Sequence, residues 1–225
     1  MHQRARQLDS ELVALVGPNL LVTTAAPIYG LGDLLPAERA ALVGAEPVRQ
    51  QEFATGRVCA RLLLARMGVT EAVLPMRDDR TPMWPAGFVG SISHTRDLCI
   101  VAVARRTDVT SIGIDVEHNS GLAEELWDLI LTDSERGWLE HQPAVRRSRL
   151  ATALFSAKES TYKCLYPWLR TAFEPRHFAV QWDGRATTFA ARLLQAPMSP
   201  IDVDGFAGSL LLYDRWIVST LIRHA

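Results

Sequence analysis

From Val109 to Glu117 the chain reads VTSIGIDVE, a β-branched, alternating run that commits this stretch to a strand over Val109–Val116. Alternate residues of a strand face the same way about 6.5 to 7 Å apart. Asp115 and Glu117 therefore share one face, while Ile112, Ile114 and Val116 point to a core. Any fold that buries this strand must also accommodate two carboxylates at its end. Two such acids suit oxygen ligation of one hard divalent cation; the plainer alternative is a solvated strand end.

A third acid follows in FSAKESTYK, where a helix puts Glu159 and Lys163 one turn apart on one face, with Lys158 beside them. Taken alone, that spacing describes an exposed helical ion pair of little energetic value. Taken with Asp115 and Glu117, it suggests metal-assisted phosphate chemistry.

The helix carrying Glu159 is expected from about Ala144 to Leu165 and to end at Pro167. An earlier helix is expected over residues 47–67, with Pro47 in its first turn, apolar residues at Val48, Phe53, Val58, Leu62 and Met67, and Gly68 as its stop. Its polar side carries Arg57 and Arg61 one turn apart, with Arg49 two turns before Arg57. Between these helices, Phe88–Ile92 and Leu98–Val103 read as short buried strands around a turn containing His94. A helix is expected over Leu122–Leu131, and Thr132 with Glu135 has capping-box spacing for another. Phe178–Trp182, Thr187–Leu193, Gly208–Tyr213 and Trp216–Ile222 alternate as antiparallel strands. The first forty residues are expected to form an irregular cover. The result is an α+β chain with its midpoint near residue 110 and no repeat of solenoid period.

Composition excludes several classes. With 225 residues and 48% apolar content the chain can build a substantial core. A net charge of −1 and a pI of about 6.6 remove the broad basic field of a general nucleic-acid binder. Cys59, Cys99 and Cys164 are odd in number and widely spaced, fitting neither a disulfide framework nor a CxxC metal site. No apolar run is long enough to cross a bilayer. A cytoplasmic protein bound to neither membrane nor nucleic acid is expected.

GSISHT (residues 90–95) adds hydroxyl and backbone donors where a strand meets a turn, groups able to hold a phosphate or ribose. In this order and spacing, VRQQEFATGRVCAR, RTPMWPAGFVGSISHT, SIGIDVE and FSAKESTYKCLYP resemble the Sfp-type 4'-phosphopantetheinyl transferases, within them the branch like enterobactin synthase component D. The resemblance covers about residues 47–167.

That resemblance implies two similar α/β halves, here 1–110 and 111–225, related by a pseudo-twofold with the active site in the cleft between them. It implies transfer of the phosphopantetheine arm of coenzyme A to a serine of an apo acyl or peptidyl carrier protein of a siderophore, peptide or polyketide assembly line, with release of adenosine 3',5'-bisphosphate. It implies a monomer. By position, Asp115, Glu117 and Glu159 resemble the ligands of magnesium, with manganese as an alternative ion. Arg49, Arg57, Arg80, Ser93 and His94 resemble the cradle for the 3'-phosphate and adenine of coenzyme A. Lys158 and Lys163 would lie against the diphosphate, and Glu159 would take the serine proton directly or through a metal-bound water. Two departures stand out: Phe155 replaces a tryptophan found in many relatives, and Val116 replaces the middle acid of a three-acid motif. Glu135 matches a family acid loosely, and the capping box accounts for it equally well. Two rival readings use the same residues: a metal-dependent phosphodiesterase, and a non-catalytic binder of coenzyme A or carrier proteins.

Overall fold

A computed structural model of the protein describes residues 2–194 and 205–225. The chain divides into two compact units, Met1–Ile112 together with Arg223–Ala225, and Gly113–Ile222.

The first unit opens with α1 (His2–Val16) and β1 (Leu20–Ala25), so the expected irregular cover is in fact a helix and an edge strand. The apolar positions responsible are Leu8, Leu12 and Val16, one turn apart and all buried. β1 pairs antiparallel with β3 (Cys99–Arg105), which also pairs with β2 (Phe88–His94), giving the order β1-β3-β2. The short α2 (Pro36–Arg39) precedes α3 (Pro47–Arg66), whose Cys59, Ala60, Leu63 and Leu64 pack with Phe88, Val101 and Val103 of the sheet. Gly56 is what lets α3 lie this close to β2: a Cβ there would stand 2.8 Å from Ile92 Cγ2. α3 is thereby held over the β2 face that carries Ile92 and His94.

The second unit is built on a five-stranded sheet, ordered β4-β8-β7-β6-β5, from β4 (Val109–His118), β5 (Phe178–Gln181), β6 (Thr188–Leu193), β7 (Phe206–Leu212) and β8 (Trp216–His224). The expected helix over Leu122–Leu131 shrinks to one 3-10 turn and the single-turn α4 (Trp127–Ile130). α5 (Asp133–Glu140) opens with the expected capping box, Thr132 Oγ1 accepting from Glu135 N while Glu135 accepts from Thr132 N. α6 runs from Ala144 to Leu169, past Pro167, and stops where Arg170 turns left-handed at φ 50°. Proline removes one N–H and crowds the preceding turn, so near the helix end it shapes the exit without stopping the helix two residues earlier. The inner side of α6, Leu150, Ala153, Leu154, Ala157 and Leu165, packs on Phe178, Phe189, Leu210 and Ile217. Gly113 sets the contact of β4 with α6: a Cβ there would fall 1.7 Å from the Ser160 carbonyl oxygen.

The helices of the two units start at matching positions, in keeping with the two similar halves that the family resemblance implies. α2 and α5 begin at residues 36 and 133, α3 and α6 at 47 and 144, a shift of 97 in each case. At the same shift, Glu38 meets Glu135, Leu42 meets Leu139, Ala54-Thr55 meets Ala151-Thr152, and Ala60-Arg61 meets Ala157-Lys158.

Candidate functional site

In the second unit, the strand alternation that puts Gly113 against α6 also turns Asp115 and Glu117 toward that helix. Lys163 Nζ donates to Asp115 Oδ1 at 2.6 Å. Asp115 is buried, whereas Glu117, Glu159 and Lys163 are half-buried. Burial, then the neighbouring Asp115 and Glu159, push the Glu117 carboxyl up to about 8 against the opposing pull of Lys163. Glu159 is raised for the same reasons, burial first and Asp115 second. The four residues form one electrostatic cluster with three acids and one ammonium. Among the described residues, no group of three or more His, Cys, Asp or Glu side chains is arranged to hold a metal as it stands; the Lys163 ammonium is the cation on Asp115. The donor chemistry nevertheless fits a hard divalent cation, which takes carboxylate oxygens and would relieve an excess of negative charge.

Lys158, expected against the diphosphate, lies elsewhere. It is fully buried, 2.6 Å from Glu135 Oε2, and donates to the Ile130 carbonyl at 2.7 Å. It precedes Glu159 by one residue, about 100° around the helix, and so points into the protein while Glu159 points to β4. Phe155, at the place of the family tryptophan, packs partly buried against the core of this unit.

In the first unit α3 and β2 bring Arg49 and His94 together, Arg49 Nη1 lying 2.6 Å from His94 Nε2. A guanidinium can only donate, so Nε2 accepts and the ring proton sits on Nδ1. Nδ1 is 3.4 Å from Glu52 Oε2, which also lies 3.7 Å from Arg49. Glu52 was missed in the sequence, although it stands one helical turn after Arg49. Ser93 does not join this group, because one step along β2 turns its buried side chain to the opposite face.

Arg57, expected in the coenzyme A cradle, is packed inside the first unit instead. Only 4% exposed, it donates through Nε to the Leu74 carbonyl at 2.8 Å and lies over the Phe53 ring, 4.1 Å from its centroid. Desolvation brings its pKa down to about 10. It is a packing residue of α3. Arg80, by contrast, is exposed at φ 66° in the turn that closes the Met76–Pro82 bridge, and Asp79 Oδ1 fixes that turn by accepting from Thr81 N and Oγ1.

Residues 37–104 match the 4'-phosphopantetheinyl transferase N-terminal domain family, and residues 111–211 match the 4'-phosphopantetheinyl transferase superfamily. The chain is 40% identical over 210 residues to the 4'-phosphopantetheinyl transferase Svp of Streptomyces mobaraensis, with 88% of this chain and 83% of that one covered. It belongs to the 4'-phosphopantetheinyl transferase superfamily. Among other relatives of this transferase, PptT of Mycobacterium tuberculosis is 34% identical over 194 residues, covering 82% of this chain and 81% of its own. Enterobactin synthase component D of Salmonella typhimurium is 39% identical over 118 residues, covering 51% and 47%. A phosphopantetheinyl transferase, an enzyme of mixed helix and sheet, replaces both rival readings. No helix among the described residues is long and apolar enough to cross a membrane.

Proposed function

We propose that this transferase moves the 4'-phosphopantetheine arm of coenzyme A to a serine hydroxyl of apo acyl or peptidyl carrier proteins, releasing adenosine 3',5'-bisphosphate. The observation that carries the proposal is the meeting of Asp115 and Glu117 on β4 with Glu159 and Lys163 on α6. Asp115, Glu117 and Glu159 would hold magnesium, or manganese in its place. When bound, the ion neutralises charge on the diphosphate.

The chain's own groups supply the rest. Glu159, with its carboxyl raised by burial, is a stronger base than a solvated glutamate and takes the serine proton. The serine oxygen bonds to the β-phosphorus as the bond from that phosphorus to the bridging oxygen breaks, and the electron pair leaves with adenosine 3',5'-bisphosphate. Lys163 offsets the negative charge that grows there, the electrostatic contribution on which phosphoryl transfer depends most. In the first unit, the paired Arg49 and His94 receive the 3'-phosphate and adenine end of coenzyme A, with the forked guanidinium matching phosphate geometry, and the exposed Arg80 is a further cation for the same ligand. The enzyme acts as a cytoplasmic monomer, independent of membrane and nucleic acid.

Intact mass spectrometry of an apo peptidyl carrier protein, incubated with the enzyme, coenzyme A and magnesium, tests the reading. The expected result is a gain of one phosphopantetheine arm, abolished by EDTA and by alanine at the carrier serine. Coenzyme A binding without any gain across several carriers would refute it.

A further inference from the structure

The burial of Lys158 has a counterpart that explains it. Glu135 uses both carboxylate oxygens: Oε2 accepts from Thr132 N at 2.7 Å and faces Lys158 Nζ, and Oε1 accepts from Val180 N at 2.8 Å. Lys158 in turn caps the Ile130 carbonyl. In the first unit, Glu38 Oε2 accepts from Leu35 N at 3.0 Å and from Arg61 Nη1, while Oε1 accepts from Leu74 N at 3.1 Å. Arg61 in turn donates to the Asp33 carbonyl at 2.7 Å. Residues 33, 35, 38 and 61 thus reappear as 130, 132, 135 and 158, each 97 positions later and in the same roles, with two guanidinium nitrogens of Arg61 doing what the single Nζ of Lys158 does. Both acids are buried, at 0% and 4% exposure.

The local sequences differ, Leu-Pro-Ala-Glu against Thr-Asp-Ser-Glu and Arg against Lys, so what the two units share is the arrangement. Each acid joins three things: the start of a short helix, a backbone N–H from later in the chain, and a cation on the long helix. A buried ion pair adds little net stability, but it rejects every helix rotation that would leave its charges unpaired. In α6 the residue after the anchored cation is Glu159, and Lys163 follows one turn later. In the first unit the anchored Leu74 is also gripped by Arg57 through its carbonyl, just before the turn that carries Arg80.

We propose that Glu135–Lys158 and Glu38–Arg61 are duplicated positioning anchors: the first sets Glu159 and Lys163 for the chemical step, and the second sets Arg49 and Arg80 for coenzyme A. Lys158 then touches no substrate phosphate. This rests on the functional reading above, in which those four residues carry the chemistry and the binding.

A pair of double-mutant cycles tests it. Lys158→Met leaves Glu135 as an unpaired buried acid and should lower kcat by at least about tenfold, with KM for coenzyme A unchanged; Glu135→Gln with Lys158→Met removes both charges and should recover part of that loss, since the glutamine oxygen keeps only one of the two backbone N–H donors that the carboxylate holds. The matching cycle, Arg61→Met with and without Glu38→Gln, should raise KM for coenzyme A and leave kcat unchanged, a split that simple loss of folded protein cannot produce. Calorimetric binding of coenzyme A counts the folded fraction of each variant, and Arg61→Lys, which gives the first anchor the cation of the second, should restore KM. A double variant no better than Lys158→Met, or an unchanged KM in the first-unit cycle, overturns the anchors while the functional reading stands. A wild-type enzyme that modifies no carrier overturns the functional reading and the anchors together.

Discussion

α3 and α6 are one helix written twice with different work to do. At the shift of 97 they share a buried framework: Ala54 and Ala151, Thr55 and Thr152, and Ala60 and Ala157 are all buried, followed by an ion-paired cation in each, while the matching Val48-Arg49 and Val145-Arg146 lie at the exposed start of each helix. Where they differ, the residues proposed for the chemistry stand out: Glu159 is in the place of Leu62, which is 55% exposed, and Lys163 in the place of Arg66. The same comparison explains Arg57, whose counterpart Leu154 is a core residue at 1% exposure. A guanidinium stacked on Phe53 does in one copy what a leucine does in the other. Charge alone is therefore a poor guide to function in these helices, and the burial of each charge is a better one.

Making the copies alike should have the largest effect at Glu159. Glu159→Leu gives α6 the residue of α3 and removes both the nominated base and a nominated ligand, so kcat should fall roughly a thousandfold with the circular dichroism spectrum intact. The reverse change, Leu62→Glu, should leave transfer to a carrier protein unaltered. Comparable losses in the two variants would show that the difference between the helices has nothing to do with catalysis.

Gly113→Ala comes next, because it attacks the contact of β4 with α6. A methyl group cannot be accommodated 1.7 Å from the backbone oxygen of Ser160, so strand and helix must separate. The expected cost is about 3 kcal/mol or more, read as a lowered denaturation midpoint, together with loss of transfer as Asp115 and Lys163 part. A stable, active variant would contradict the close approach on which the acidic cluster depends.

In the first unit, two arginines of one helix should fail in different ways. Arg49→Ala should raise KM for coenzyme A roughly tenfold with little change in stability, since its side chain is half-exposed and available to a phosphate. Arg57→Ala should instead cost about 2 to 4 kcal/mol of stability, since it leaves the Leu74 carbonyl and the Phe53 ring without their partner. Titration of coenzyme A by calorimetry beside urea unfolding separates the two. The opposite pattern would return Arg57 to the binding group.

Much of this was legible from local patterns. α3, β2 to β8 and the Thr132–Glu135 capping box all carry signals within ten or twenty residues, and the four members of the acidic cluster lie on two elements whose facing sides are set by simple periodicity. What escaped depends on partners far along the chain. Lys158 reads as a phosphate-binding lysine until Glu135, 23 residues earlier, is seen to hold it, and Arg57 reads as a surface cation until Leu74, 17 residues later, closes over it. The two similar halves were implied by the family resemblance, but their residue-by-residue match was not legible because the matched residues are few and scattered, and because one copy pairs its acid with arginine and the other with lysine. α1 was overlooked although Leu8, Leu12 and Val16 spell its buried side; three positions in a polar segment are a weak signal without the strand they pack near.

The smallest expected effect separates the acidic cluster from the rest of the fold by pH. Glu117 has its folded-state value near 8 against 4.5 for an ordinary glutamate, so between those limits the folded protein holds a proton that the unfolded chain has released. Its contribution to stability is complete below about 4.5 and is lost as pH rises through about 8. Glu159 shifts in the same direction and adds to the trend. In EDTA, Tm should therefore decline as pH is raised across this window. Saturating magnesium should flatten the decline, because a bound cation favours the ionised carboxylates, and Glu117→Gln should flatten it without magnesium. A slope indifferent to both would mean that these acids are not held in one buried group, and the contrast between a catalytic α6 and a structural α3 would lose its electrostatic basis.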